Sequence, residues 1–362
     1  MLKRLHLRNF TVFADAEFEF GERLNVIVGK NGAGKSNILK LGYVIVYEIF
    51  QAIQQKKNDE TGQQIIAEQR NSEFMFDKLR NVFQPYPFKV SELIRRDAKV
   101  SESVIEMVVV YPGGRVNSSM KFTHSVSNGP LFILPQEWEN DIDFIPPVFI
   151  PAKEVLTMGW LSSLYERREI PIDETYPDLL TLLSGPPLRQ PKPFHITEKL
   201  SQLIGGKVDE AGGRFFLNNS GQQGLEMNLV AEGMRKFATL YKLLANGTLT
   251  PETTLFWDEP EANLNPALLK ELAAVLTDLA QAGFQIILAT HSLFLMRELH
   301  ILAQQKKKPV RYFGLYTSEE GDVRVEQQDD LMQLRHLVAL DAELTQTFDF
   351  EAALDQDYAG DN

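Results

Sequence analysis

The chain has 362 residues, a formal net charge of −12 and no cysteine. That length supports one large domain or two smaller ones, and the missing thiols exclude a disulfide framework, a thiolate metal site and a cysteine nucleophile. The acidic balance argues against a surface dominated by nucleic-acid binding, and no apolar run reaches the ~20 residues that span a bilayer.

The basic opening Met1–Arg8 is not followed by an apolar signal core, so a cytoplasmic location without membrane attachment is expected. Leu5–Phe10 and Ala16–Phe20 alternate as a strand pair, and Leu24–Val28, an apolar run but for Asn25, is suited to a buried strand. Residues 51–100 are polar and helix-prone. Val104–Val110 and Val116–Thr123 flank Pro112-Gly113-Gly114, which predicts a hairpin. Residues 130–194 are rich in proline and read as an irregular insertion outside the sheet. Short strands are expected around Phe215 and over Leu225–Leu229. Regular alternation then returns: helix Glu232–Ala245, strand Thr253–Trp257, helix Pro266–Ala282 and strand Gln285–Ala289. Asn265 and Pro266 mark the start of the third of these elements and Gly283 its end. The last segment, Asp341–Asn362, holds seven acids and no Lys or Arg, so the remainder carries only −5. It reads as a solvated tail.

Gly29-Lys30-Asn31-Gly32-Ala33-Gly34-Lys35-Ser36 fits the spacing G-x-x-x-x-G-K-[ST] between an apolar strand and a helix. The glycines let backbone N–H groups converge on phosphates, and the following helix aims its N-terminal dipole at the same anion. Lys35 brings a positive charge to the β/γ-phosphates, and the Ser36 hydroxyl is suited to ligate Mg²⁺. Further on, the apolar strand Thr253–Trp257 ends in Asp258-Glu259-Pro260-Glu261. Carboxylates at the C-terminal end of a parallel strand face the ligand crevice. Asp258 is suited to organise the metal and Glu259 to polarise an attacking water, while Glu261 is expected to support the turn. His291 follows the next apolar strand and can reach the γ-phosphate region.

Together these residues resemble the ABC-type ATPase heads of the SMC/RecF/OLD group. The similarity extends to Leu7-Arg8-Asn9-Phe10, Asn263-Leu264-Asn265-Pro266 and Ala289-Thr290-His291-Ser292. Pro151-Ala152-Lys153-Glu154 and Ala231–Lys236 look like the compact bacterial ATPases found with anti-phage effectors, of the Septu, retron-associated and OLD-like types. The resemblance implies an α/β fold: a P-loop ABC-type head with an antiparallel β subdomain and a helical insertion. The core would be split over 1–50 and 225–330, with 51–224 inserted and 341–362 as the acidic tail. It implies ATP and Mg²⁺ as ligands, contacted by Gly29, Asn31, Gly32, Ala33, Gly34, Lys35, Ser36 and Asp258, with Glu259 and His291 catalytic. It also implies a homodimer or higher homo-oligomer in which a signature helix faces the other copy's nucleotide, here through Gly233 and Arg235. The sequence departs from the family form at Ala231, where Ser would donate, and at Glu232, which replaces the first Gly.

No long heptad region is present, which excludes an SMC-type arm. The 71 residues after His291 lack a Glu…Asp-x-Asp arrangement, so the TOPRIM nuclease of full OLD proteins is expected to be missing. The expected role is regulation of a separate effector protein, a nuclease by class, in anti-phage defence. Two alternatives stand beside it. A RecF-like repair ATPase would bind nucleic acid directly through Arg95-Arg96, Arg167-Arg168 and Lys306-Lys307-Lys308. A nucleotide-gated scaffold would turn over little ATP. Gln84 is a candidate Mg²⁺-sensing glutamine, and Asp329-Asp330 is expected to cap a helix beginning at Leu331.

Overall fold

The computed structural model describes residues 1–58, 64–97, 99–111, 114–123, 127–132, 145–167, 170–192, 194–219, 224–306, 309–336 and 346. The acidic tail, the turn at 112–113, Arg168 and Lys307-Lys308 lie outside the described residues, with 346 the one exception in the tail. In chain order the first elements are strands β1 (Leu2–Phe10), β2 (Phe13–Glu19) and β3 (Leu24–Gly29), then helices α1 (Lys35–Asn58) and α2 (Gln64–Phe83). Strands β4 (Glu102–Tyr111), β5 (Gly114–Thr123), β6 (Ser127–Phe132) and β7 (Val148–Ile150) follow. Helices α3 (Leu161–Glu166), α4 (Thr175–Leu183) and α5 (Phe194–Ile204) lead to strands β8 (Lys207–Ala211), β9 (Arg214–Asn218) and β10 (Leu225–Glu226). Then come α6 (Glu232–Ala245), β11 (Thr254–Asp258), α7 (Pro266–Gln281), β12 (Gln285–Thr290), α8 (Leu293–Lys306), β13 (Val310–Thr317) and β14 (Val323–Gln328).

Eleven strands form one sheet in the order β6-β5-β4-β1-β2-β14-β13-β3-β12-β11-β7. One end, β6 to β2, is antiparallel. At the other end β13, β3, β12, β11 and β7 run parallel. Parallel strands are buried on both faces, and their side chains alternate between two cores. On β3, Leu24, Val26 and Val28 join one core while Ile27 joins the other. On β12, Ile286 and Leu288 take the first and Ile287 and Ala289 the second. Helices α4 to α8 contribute to the first core, and α1 and α2 with the antiparallel strands build the second.

Two details differ from the sequence reading. Val148–Ile150 pairs in parallel with β11, so the proline-rich stretch supplies an edge strand of the main sheet. An edge accommodates flanking prolines because one side of the strand needs no donors. The hairpin β4–β5 is likewise part of that sheet, paired through β4 to β1. A separate three-stranded sheet contains β8, β9 and β10. Asp330 caps a short 3₁₀ turn over Leu331–Gln333, its carboxylate accepting from Met332 N at 2.9 Å. Asn265 caps α7 by accepting from Leu268 N at 2.9 Å, with Pro266 at the first helical position. Among the described residues no helix is long and apolar enough to cross a membrane.

Candidate functional site

The candidate site lies at the C-terminal ends of β3, β11 and β12, the crevice side of a parallel sheet. The loop after β3 turns through two left-handed glycines, Gly32 (φ +82°) and Gly34 (φ +89°). A side chain at Gly34 would also meet Val12 and Phe13 within 2.8 Å, so the loop is pressed against the turn between β1 and β2. Asn31 and Gly32 are exposed, whereas Ala33 is buried. Lys35 opens α1, and its Nζ donates to the carbonyls of Gly29 (2.8 Å) and Lys30 (3.1 Å). Burial pulls the Lys35 pKa below its ordinary value, against the attraction of Glu259, Asp258 and Glu261.

At the second position of α1, the Ser36 hydroxyl lies beside the Asp258 carboxylate at the end of β11 and favours its charged form. Burial raises the Asp258 pKa and the Glu259 charge adds to the rise, while Ser36, Lys40 and Lys35 oppose it. Asp258 Oδ1 is buried without a hydrogen-bond partner. An orphaned carboxylate oxygen beside a hydroxyl is a donor set that suits a hard divalent cation.

Glu259 sits in the left-handed region (φ +44°), and its N–H still donates to Ala289 O at 3.0 Å. That conformation costs a non-glycine residue about 1 kcal/mol or more and persists only where its surroundings hold it. His291 Nδ1 lies 3.5 Å from Glu259 Oε1 and 3.3 Å from Glu261 Oε1. Glu261 itself is buried and accepts from Thr290 Oγ1 (2.6 Å) and His291 N (2.9 Å). It therefore fastens the end of β12 to the turn after β11. Ser292 completes this corner by accepting from Leu295 N at 3.2 Å at the start of α8. The structure thus brings Lys35, Ser36, Asp258, Glu259 and His291 into one neighbourhood from three loops far apart in sequence.

The start of α6 has a different character. Gly233 is buried, and a Cβ there would lie 2.9 Å from Leu264 and 3.0 Å from Asn263 O, so close packing against the 263–264 turn requires glycine. Glu232 accepts from Asn263 Nδ2 at 2.7 Å. Arg235 donates to Val230 O (2.8 Å), Asn228 O (3.3 Å) and Glu154 Oε2 (3.2 Å). The Glu154 carboxylate also accepts from Leu156 N and Thr157 Oγ1. Glu154 therefore has a structural explanation: it pins the chain after β7 to the first turn of α6. Lys236 is only 4% exposed and donates to Glu259 O (2.9 Å) and Pro260 O (3.3 Å). Its pKa is pulled down to about 8 by burial, opposed by Glu261, Glu232, Glu259 and Asp258. Both cations of this first stretch of α6 therefore bond inward.

Glu261 supports the turn as expected, whereas sequence reasoning missed the buried ties of Lys236. A signal for these existed. Gly233, Lys236, Phe237, Leu240 and Leu244 share one helical stripe, so a lysine stood within an apolar face. Gln84 follows α2 with φ +49°, and its Nε2 donates to Asn81 O (2.9 Å) and Ile172 O (3.3 Å). Nearby, Lys40 donates to Val82 O (3.2 Å) and Asp173 Oδ2 (3.0 Å).

Residues 142–297 match the family described as AAA domain, putative AbiEii toxin, Type IV TA system, and residues 4–72 match a second AAA domain family. A stretch of 59 residues, 16% of the chain, is 42% identical to the DNA double-strand break repair Rad50 ATPase of Archaeoglobus fulgidus. Another of 46 residues, 13% of the chain, is 44% identical to the DNA replication and repair protein RecF of Flavobacterium johnsoniae. These stretches span 6% and 13% of those two proteins. Among solved structures, an SMC head bound to the C-winged helix domain of ScpA superposes with a TM-score of 0.54 at 14% identity, over 92% of this chain and 99% of that one. An SMC head with an extended coiled coil, bound to the C-terminal domain of ScpA derived from Pyrococcus furiosus, gives 0.54 at 12% identity, over 97% and 99%. The fold is that of the SMC head domain.

Proposed function

We propose that this chain binds and hydrolyses ATP with Mg²⁺, and that two copies closing on nucleotide regulate a separately encoded effector, a nuclease by class, in bacterial anti-phage defence. The observation that carries the ATPase reading is the buried, unpartnered Asp258 Oδ1 beside Ser36, Lys35 and Glu259, with His291 on Glu259. In this reading the amides of Gly29 to Gly34 wrap the phosphates, and Lys35 neutralises charge at the β/γ position. Ser36 and Asp258 would hold Mg²⁺, which spreads the negative charge of the phosphates. Glu259 orients and polarises the attacking water, and His291 contacts the γ-phosphate from the adjoining loop. The N-terminus of α6, with Gly233 in its first turn, faces the nucleotide of the second copy. Arg235 serves that helix by fixing its seat on Glu154.

The effector and the defence role rest on the resemblance of Pro151–Glu154 and Ala231–Lys236 to anti-phage ATPases. The division into 1–50 with 225–330 and an inserted 51–224 belongs to the same proposal. The test is the mass in solution of Glu259→Gln with and without ATP–Mg²⁺, beside wild-type ATP turnover, with Lys35→Ala as control. Assembly that grows with ATP and disappears in Lys35→Ala supports nucleotide-gated pairing. A mass indifferent to ATP removes that gating, and wild-type protein without turnover removes the ATPase reading in favour of a scaffold. DNA or RNA cleavage by the purified chain alone would remove the separate effector.

The matches to Rad50 and RecF favour a second reading, direct binding to DNA. It predicts ATP-dependent, salt-sensitive binding through basic clusters. Those clusters are partly neutralised, because Arg95 pairs with Asp97 and Asp322 and Lys306 pairs with Asp278.

A further inference from the structure

Lys236 sits in the second turn of α6 with its ammonium group inside the protein. Burying a cation is costly, and a methionine or leucine would fill the same place in an apolar stripe without that cost. What the ammonium does there is specific. It donates to two consecutive carbonyls, Glu259 O at 2.9 Å and Pro260 O at 3.3 Å. Those carbonyls belong to the turn in which Glu259 holds its left-handed conformation. The other hydrogen bonds of this turn come from within the same corner: Ala262 N to Glu259 O (3.1 Å), Leu264 N to Glu261 O (3.1 Å) and Glu259 N to Ala289 O (3.0 Å). Lys236 is the tie that reaches the Glu259–Pro260 backbone from α6. The same helix meets the following residues through Glu232 on Asn263 and Gly233 on Leu264.

We propose that Lys236 is a positioning residue: by gripping the Glu259 and Pro260 carbonyls it sets the direction of the Glu259 carboxylate, and so links the seating of α6 to hydrolysis at this copy's own site. The proposal rests on the ATPase reading above, in which Glu259 polarises water. A helix that engages a second copy would then act on the chemistry through one side chain and two backbone oxygens. The length of that path is one lysine, and no rearrangement of the sheet is needed.

The test compares full-length wild type, Lys236→Met and Lys236→Arg. Each is measured for ATP turnover, for equilibrium binding of a fluorescent ATP analogue with Mg²⁺, and for thermal midpoint. Lys236→Met removes the donors at nearly equal length. Its expected kcat is at least tenfold below wild type, with analogue affinity within threefold and a midpoint no lower than that of wild type. Lys236→Arg keeps the charge and the donors, and its kcat should return to within threefold. A Lys236→Met protein that turns over within twofold of wild type overturns the proposal. So does one whose loss of activity is matched by an equal loss of analogue binding or of folded protein. Should the methionine variant not fold, Lys236→Gln, which keeps an amide donor for one carbonyl, is read by the same limits. Turnover by wild type with no effect at Lys236 removes this inference alone, whereas absence of wild-type turnover removes the reading of the site beneath it.

Discussion

Two helices begin near the cleft, α1 after the glycine loop and α6 after Val230, and their first turns are built in opposite ways. Before α1, Asn31 and Gly32 are exposed, and the turn is fixed by glycine conformations and by Lys35 on two loop carbonyls. At α6, the side chains of Glu232, Arg235 and Lys236 bond to Asn263, Glu154 and the Glu259–Pro260 backbone. The first leaves backbone groups available to an anion. The second fastens its helix to two other segments of the chain, Glu154 and the turn 259–263. The two helix starts thus differ less in their helices than in where their side-chain donors point.

The largest expected effects test the first helix. Lys35→Ala should weaken binding of a fluorescent ATP analogue by ~100-fold or more, since a charge-assisted contact and its field are lost together. Glu259→Gln should retain binding while kcat falls by about 10²–10⁴, the range of a general base. Equal losses in binding and turnover for Glu259→Gln would place Glu259 among the binding groups and blur the contrast between holding phosphate and activating water.

The next effect tests the second helix. Arg235→Met would leave the Glu154 carboxylate, whose side chain is 4% exposed, without its cation. We expect a loss of about 2 kcal/mol, below the 3–5 typical of a fully buried pair because Arg235 retains some exposure. Chemical denaturation measures it, and the double variant Arg235→Met with Glu154→Gln should recover part of the loss. The exposed pair Arg324–Glu320 serves as a control, with under ~0.5 kcal/mol expected. If both pairs behaved alike, α6 would not be fastened there as the distances indicate.

The contrast between the helices also explains what was readable in advance. The glycine loop, the run Leu24–Val28, the acids after Trp257 and the caps of α7 are local patterns, each written within a few residues. Sequence therefore located Lys35, Ser36, Asp258 and Glu259 as neighbours in function before any fold was drawn. The parallel placement of Val148–Ile150 beside β11 is a pairing across a hundred residues, and no local pattern encodes it. Nor does sequence say which way a long cation turns. Lys and Arg carry flexible apolar stems and are read by default as solvated. The inward bonds of Arg235 and Lys236 were therefore not legible, although the position of Lys236 within an apolar stripe was a clue.

The last effect concerns how the middle of α1 is anchored while its first turn stays available. Glu48 is buried on α1, near Lys78, Glu174 and Asp178. Lys78 bonds Asp178 (2.7 Å) and Glu174 (3.3 Å), and Tyr43 donates to Asp178 at 2.6 Å. Burial raises the Glu48 pKa from 4.5 to about 7, with Glu174 and Asp178 adding to the rise and Lys78 opposing it. An acid whose folded pKa is raised binds more protons in the native state than in the unfolded one. Its contribution to stability is therefore complete below pH 4.5 and declines as pH rises to about 7. Glu48→Gln should abolish that decline. The variant should match wild type near pH 4.5 and exceed it by roughly 2 kcal/mol at pH 8, read from denaturation at both pH values. A constant difference across the range would mean that Glu48 is charged in the native state throughout. The anchor of α1 would then be an ionic network like that of α6, and the two helices would differ only at their first turns.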